Sequence, residues 1–497
     1  MKVMLKRIHL PNWILLVLTL VFVLRIPSFF DPYYYGDEMI YLTLGEAVKS
    51  GLTLYRDIHD NKPPLLYLIA AVAGNVFWFR AILAAWMLGT TVIFWRLTER
   101  LFPKEEKIQK IAVTVFAILT CLPLFEGQIS NAELFMIGPT MLGFYLLLQK
   151  GTTNKNVFIA GLLFSTATLF KVPAAFDMLA IYFLWVVNTK LTVKSWVTLL
   201  KRSIILALGF LTPIVLTFIW YSWRGAFNEY LIAAFLQNVG YLSSFRPEQV
   251  RDPFWVRNMP LLVRGGMVLV VMVILYVFRK KLSKNFLFLV AWLAFGLFAV
   301  ALPERPYPHY LVQVLPPISA FIGILVARNN IEQSLAVIPL FFATLIPVRF
   351  DFWYYPSLPY YQNFVRFASG KLEREAYFDT FNDRVNGNYK IANYLARSVP
   401  QDENVFVWGD SPSIYALSRR RPPLKYVANY HINDFSNRDH VLSSLKADPP
   451  LYIVILPHSE IFTQLTEFAD TNYYLLPSME GARIWKLMSL GVSSAVR

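Results

Sequence analysis

The sequence predicts a polytopic α-helical membrane protein ending in a small water-soluble α/β domain, and three observations carry that expectation. Across 497 residues 56% are hydrophobic and 16% charged, where soluble domains carry about 25% charged residues. Apolar runs close to the roughly 20 residues that cross a bilayer recur along the chain. Basic residues gather in alternate short loops between those runs, as the excess of Lys and Arg in cytoplasmic loops requires. The net charge of +15 is therefore mostly a topology signal and does not support nucleic-acid binding. Cys121 is the only cysteine, which excludes an internal disulfide framework.

Eleven spans are expected, near 10–30, 80–98, 111–127, 133–149, 157–171, 174–189, 203–222, 260–278, 286–302, 309–327 and 331–348. A further apolar stretch, 63–79, opens with Pro63-Pro64 and is short. Taken as a half-buried helix on the outer side, it sorts the loops by charge. Lys2, Lys6, Arg7, the clusters at 96–110, 150–155, 190–202 and 279–284, and Arg328 then fall inside. The outer loops at 127–133 and 303–308 hold only Arg305. The N-terminus is accordingly expected in the cytoplasm and the C-terminal region outside it. The first run is too long for a signal-peptide core and has no small-residue cleavage site, so it reads as a retained span. The lack of N-x-Ser/Thr sequons and of cysteine in the outer domain points to a prokaryotic plasma membrane.

Residues 1–348 form the expected membrane domain, with outer loops at 31–62 and 223–258. Tyr241, Phe245 and Arg246 stand near the middle of the second loop. Residues 37–50 have helical spacing with Met39, Leu42, Leu44 and Val48 on one face, which predicts a helix lying on the membrane. An aromatic interfacial linker, 349–374, carries Phe352 to Tyr355 and Tyr360-Tyr361, suited to the headgroup layer. The extracytoplasmic α/β domain, 375–497, is expected to run helix 383–398, strand 404–408, helix 412–420 and strand 424–428. Helix 438–447, strand 451–456, helix 458–469 and a strand pair over 473–487 complete it. It has neither GxGxxG nor a P-loop, so no nucleotide is assigned.

Chemistry-bearing residues concentrate in 33–67. Adjacent carboxylates Asp37 and Glu38 follow the first span, and Asp57-x-x-Asp60-Asn61-Lys62-Pro63-Pro64 precedes the short apolar stretch. Each acid alone reads as a solvated loop residue, with proline starting a helix; the combination points to a polar site at the headgroup level. Charges close to hydrocarbon are costly and are functional candidates by default. They include Lys171 at the outer end of span five, Arg25, Arg264, and Arg305 with His309 and Tyr310 at the mouth of span ten. Snorkelling is the other reading for Arg25 and Arg264, and interfacial hydrogen bonding for His309. Tyr415 and Arg419 to Arg421 are either a contact for an anionic glycan or lipid headgroup or a solvated basic helix end.

Three features together resemble the GT-C glycosyltransferases that use polyprenyl-phosphate sugars, above all the protein mannosyltransferase and aminoarabinose transferase superfamily. They are the Asp37-Glu38 pair with Tyr41, the segment Tyr55, Asp57 and Lys62 to Leu65, and Arg305-x-x-x-His309-Tyr310 running into Pro316-Pro317. The resemblance covers residues 10 to about 348 and implies a GT-C type membrane domain. It implies catalysis by the acidic pair Asp37 and Glu38, with Asp37 as base, and donor-phosphate contact by Lys62. Tyr41, Tyr55, Asp57, Asp60, Lys171, Arg305, His309 and Tyr310 are the further expected donor-site residues. Some relatives place an Arg just before the tyrosine that follows the acidic pair; here that position is Ile40, so another cation must serve the phosphate, or fewer do. Glu133, at the start of span four, is an acceptor or metal-site acid by resemblance, or a helix N-terminal carboxylate. No metal and no other cofactor is expected. The implied function is transfer of a sugar from a polyprenyl-phosphate donor to a glycan, lipid or protein acceptor on the outer face, with inversion. The alternative is a lipid or glycan transporter or flippase without transferase activity, against which stand the acids in one outer loop and the lack of an internal repeat.

Overall fold

In lipid a backbone must satisfy its own hydrogen bonds, so long apolar runs become helices. The computed structural model describes residues 10–240, 253–303 and 305–488; Lys2, Lys6, Arg7, Tyr241, Phe245 and Arg246 lie outside the described residues. α1 (Asn12–Arg25) runs into a 3-10 turn, and α2 (Gly36–Lys49) and α3 (Leu65–Ala73) follow before α4 (Val76–Leu101). α5 (Glu106–Leu119), α6 (Ala132–Leu147), α7 (Asn154–Phe170), α8 (Leu179–Asn188) and α9 (Val193–Trp223) come next. Helices Phe254–Phe278, Lys284–Ala301, Leu315–Ala327 and Val337–Arg349 end the bundle. Each of the eleven expected spans thus contains a helix, although the one expected at 111–127 is α-helical only to Leu119. Seven segments among the described residues are long and apolar enough to cross a membrane by length and composition.

The short stretch forms a helix over Leu65–Ala73 only. α3 is about 13 Å long at 1.5 Å per residue, too short to cross. It ends at Gly74, with φ 69°, and Asn75 then caps α4 by accepting from the Trp78 N–H at 3.0 Å. The apolar face of α2 is turned to protein. Met39, Leu42 and Leu44 are buried in protein, because α3 and the Ser413–Ser418 helix cover α2. At Gly45 a Cβ would meet Ala71 N at 2.6 Å, so only glycine lets α2 and α3 approach this closely. α7 and α9 cross in the same manner, where a Cβ on Gly209 would stand 2.2 Å from Phe158 O.

The C-terminal sheet has the order β1 (Val405–Trp408), β2 (Tyr452–Ile455), β4 (Arg483–Leu487), β3 (Tyr473–Leu475). β1 and β2 pair in parallel and are buried along their whole length, as their unbroken apolar runs require; the other pairings are antiparallel. Helices Val385–Ser398 and Arg438–Ala447 fall where expected, and the last helix begins late, at Thr463–Asn472. The strand expected at 424–428 does not form. Its Lys425 carbonyl instead accepts from the His59 N–H of the outer loop at 2.7 Å, and helix Asn429–Phe435 follows, for which no sequence signal was read. In the aromatic linker Tyr360 donates to Asp31 at 3.0 Å and Tyr361 to the Leu24 carbonyl at 3.1 Å. These two rings are tied into protein, and Tyr354 stays exposed.

Candidate active site

Successive helical residues stand about 100° apart, so the adjacent carboxylates in the first turn of α2 enter different surroundings. Asp37 Oδ2 accepts from the Tyr41 hydroxyl, one turn on, at 2.9 Å and from Lys62 Nζ at 3.4 Å. Its Oδ1 accepts from the Tyr430 hydroxyl at 3.4 Å. Glu38 points elsewhere. Arg80 donates to it through Nε at 3.0 Å and Nη2 at 2.6 Å, and reaches Asp31 through Nη1 at 3.0 Å. The expected catalytic pair of Asp37 and Glu38 is not brought together: Glu38 is fully buried, and Arg80 and the Ser130 N–H claim its oxygens. Arg80, at the start of α4, is missing from the expected residues because nothing in its local sequence names its partners.

Lys62 is presented by the loop before α3. Tyr55, in the left-handed region at φ 76°, donates its hydroxyl to the Lys62 carbonyl at 2.9 Å. Asp57 accepts from the Thr53 N–H at 2.7 Å and pairs with Arg56. These two residues brace the loop that presents Lys62, and among the described residues no hydrogen bond or ion pair joins either to Asp37. Asp60 does belong to the cluster: Lys62 Nζ lies 3.9 Å from its Oδ2, which also accepts from Tyr67 at 2.7 Å. Lys62 thus sits between two carboxylates, 5.0 Å from the centroid of the Tyr41 ring. The C-terminal domain closes this cluster, since His431 Nε2 is 3.5 Å from Asp60 Oδ1 and Tyr430 meets Asp37. Arg305, at 3.7 Å from Asp434, links the mouth of span ten to the helix carrying both.

A second charged cluster adjoins the first. His309 places Nδ1 on Glu126 and holds Nε2 3.8 Å from Glu133, on which Lys171 also closes. Glu126 further accepts from Tyr35 at 2.6 Å and Asn131 at 3.2 Å. Lys171 Nζ lies 3.6 Å from the centroid of the Tyr310 ring. The expected residues Glu133, Lys171, His309 and Tyr310 are therefore brought together. Glu126 is the acid that sequence reasoning misses; its only local signal is the Glu-Gly step, at φ 54°, in a short loop between two spans. Arg25 and Arg264 donate to carbonyls at helix ends, Thr120 at 2.8 Å and Ala301 at 2.7 Å.

Burial alone would raise the Asp37 carboxyl, but Lys62 first, then His309, the Tyr41 hydroxyl and His431, hold it well below the ordinary carboxylate range. Asp60 is likewise lowered, with burial opposing Lys62 and His431. Burial pushes the His431 imidazole below its ordinary value against the pull of Asp60. Burial lifts Asp31 to about 7 despite Arg80. A separate cavity of about 370 Å³ lies against Glu46 of α2 and Ser50 just past its end, with Tyr415, Arg419 and Arg421 across from them. Arg420 also lines this cavity, and its guanidinium caps the Val385–Ser398 helix through the Val399 and Ala396 carbonyls at 2.6 and 2.8 Å. Among the described residues no three His, Cys, Asp or Glu side chains stand in a metal-holding group.

No curated protein matches the chain. Residues 386–483 match the family model for the C-terminal domain of the competence-induced protein Ccs4. The chain is similar to ArnT from Cupriavidus metallidurans bound to undecaprenyl phosphate, with 14% identity and a TM-score of 0.58 over 96% of this chain and 98% of that one. It is also similar to ArnT from the same organism in the apo state, with 12% identity and a TM-score of 0.53 over 95% and 97% of the two chains. At such identities the likeness speaks for architecture alone, and the architecture of this chain is the GT-C fold.

Proposed function

We propose that the chain is an integral-membrane glycosyltransferase that moves a sugar from a polyprenyl phosphate to a hydroxyl-bearing acceptor at the outer membrane face. The observation that supports this most is Lys62 held between Asp37 and Asp60, on a fold similar to a protein solved with undecaprenyl phosphate. In this reaction the acceptor hydroxyl gives its proton to Asp37 while its oxygen bonds the anomeric carbon. The bond from that carbon to the phosphate oxygen breaks, and the electron pair stays on the polyprenyl phosphate. A single displacement inverts the anomeric centre. Asp37 is the general base, and Lys62 stabilises the charge developing on the leaving phosphate.

The pairing of Lys62 with Asp37 supplies a reason for the base to switch on. Lys62 is the largest influence lowering Asp37, so a donor phosphate that draws the ammonium toward itself raises the basicity of Asp37 as the acceptor arrives. Lys171, His309 and Tyr310 are assigned to the donor headgroup, and Lys171 is the second cation that the Ile40 position leaves to be found. Glu133 sets the position of Lys171. The polyprenyl tail stays in the bilayer of a plasma membrane, with the site and the C-terminal domain on the outer side and the N-terminus in the cytoplasm. No cofactor is assigned.

Purified protein in nanodiscs, incubated with a panel of undecaprenyl-phosphate sugars, is expected to release or transfer sugar detectable by mass spectrometry. Asp37→Asn should lose about a hundredfold or more of that turnover, the typical contribution of a general base. Turnover at the wild-type rate in this variant would remove Asp37 from the reaction. Counterflow of lipid without any sugar product would favour transport.

A further inference from the structure

The two carboxylates that flank Lys62 are each reached from two sides. The membrane domain holds Oδ2 in both: Tyr41 and Lys62 on Asp37, Tyr67 and Lys62 on Asp60. The C-terminal domain reaches Oδ1 in both: Tyr430 on Asp37 at 3.4 Å, and His431 on Asp60 at 3.5 Å, where the Asn61 N–H also donates at 2.7 Å. Tyr430 and His431 are consecutive residues of one helix, and His431 is only 3% exposed, so this helix is part of the cluster and not a distant cover. An acceptor hydroxyl has to reach one oxygen of Asp37. Oδ2 already receives two donors, whereas Oδ1 receives one at a distance longer than the usual 2.5–3.0 Å of an O–H···O bond. Oδ1 is therefore the oxygen that can take a new, shorter bond.

We propose that helix Asn429–Phe435 forms the acceptor side of the active site, with Tyr430 and His431 as positioning residues that steer an incoming hydroxyl onto Asp37 Oδ1. The inference rests on the transferase reading above. Tyr430 neither gains nor loses a proton. Its hydroxyl swings from Asp37 to the acceptor oxygen and orients that oxygen toward the anomeric carbon, while the acceptor proton goes to Asp37. His431 holds Asp60, and through it Lys62, on the donor side. The acceptor is a hydroxyl-bearing molecule approaching from the C-terminal domain.

The test uses the full chain in nanodiscs, the undecaprenyl-phosphate sugar that the wild type consumes, and alkyl glycosides as acceptors. Transfer to the glycoside and release of free sugar to water are followed together. Tyr430→Phe is expected to shift the ratio of transfer to release toward water by about fivefold, the cost of one hydrogen bond, with acceptor KM rising more than donor KM. His431→Leu should move the ratio the same way, and His431→Gln, whose amide can still donate to Asp60, should restore part of it. A merely structural loss lowers both products together; that result, or an unmoved acceptor KM in Tyr430→Phe, overturns the inference. Asp37→Asn separates the two ideas. If it loses both products while Tyr430→Phe keeps the wild-type ratio, only the acceptor role fails. If Asp37→Asn keeps both products, or the wild type forms neither, the transferase reading fails beneath it.

Discussion

At Lys62 one ammonium lies 3.4 Å from Asp37 and 3.9 Å from Asp60 in a largely water-excluded setting, where each charge is costly unless answered. Asp37 acts as a base only when ionised, and its lowered pKa keeps it ionised far into acid. Removing the cation reverses that. Lys62→Met should raise the Asp37 pKa, so the acidic limb of the kcat/KM profile for sugar release should move to higher pH by about 1–3 units. Donor KM should rise as well. A limb that stays in place in the variant would mean that Lys62 does not govern this carboxylate. The buried trio Asp31, Arg80 and Glu38 has a different task, anchoring the first turn of α2 to α4 so that Asp37 keeps its aim.

Among the elements, the α2–α3 pair carries the site, because Asp37 opens the first helix and Lys62 precedes the second by two prolines and no more. Gly45 sets their separation. Gly45→Val should cost about 1–3 kcal/mol by overpacking and lower both the thermal midpoint and the turnover. Gly89→Ala, where a Cβ meets open space, serves as the control and should leave the midpoint unchanged or raised. A Gly45→Val protein as stable and active as the control would show that this contact is slack. The helices themselves are legible from run length and loop charge. What covers α2 is not, since periodicity reports an apolar face without naming its partner. The stretch 424–428 has strand-like residues, yet its backbone hydrogen bond goes to the outer loop. Tyr430 and His431 escape sequence reasoning for a plainer reason: Tyr430 meets Asp37 across 393 positions.

Over the whole molecule, charge is sorted by end. The α2 loop, the Glu126 loop, the mouth of span ten and helix Asn429–Phe435 converge near Arg80 at the start of α4. Past the other end of α4, Arg328 pairs with Glu105 and Glu332 among the basic loops. The proposed orientation follows from that sorting and can be read by labelling, because Cys121 is buried and gives little background. A membrane-impermeant maleimide applied to intact cells should modify Glu467→Cys and spare Lys107→Cys, both exposed positions, until the cells are permeabilised. The opposite pattern would turn the site toward the cytoplasm.

The clamp on Lys62 also bears on how a catalytic cycle would finish. A spent polyprenyl phosphate is a monoester and carries up to one more negative charge than the diester that entered, so it would grip the ammonium harder than the substrate did. Asp37 and Asp60 compete for that same ammonium from both sides. In the proposed reaction, once Asp37 had shed its proton to water, the two carboxylates would reclaim Lys62 and repel the spent carrier, so that product exit would be built into the resting arrangement.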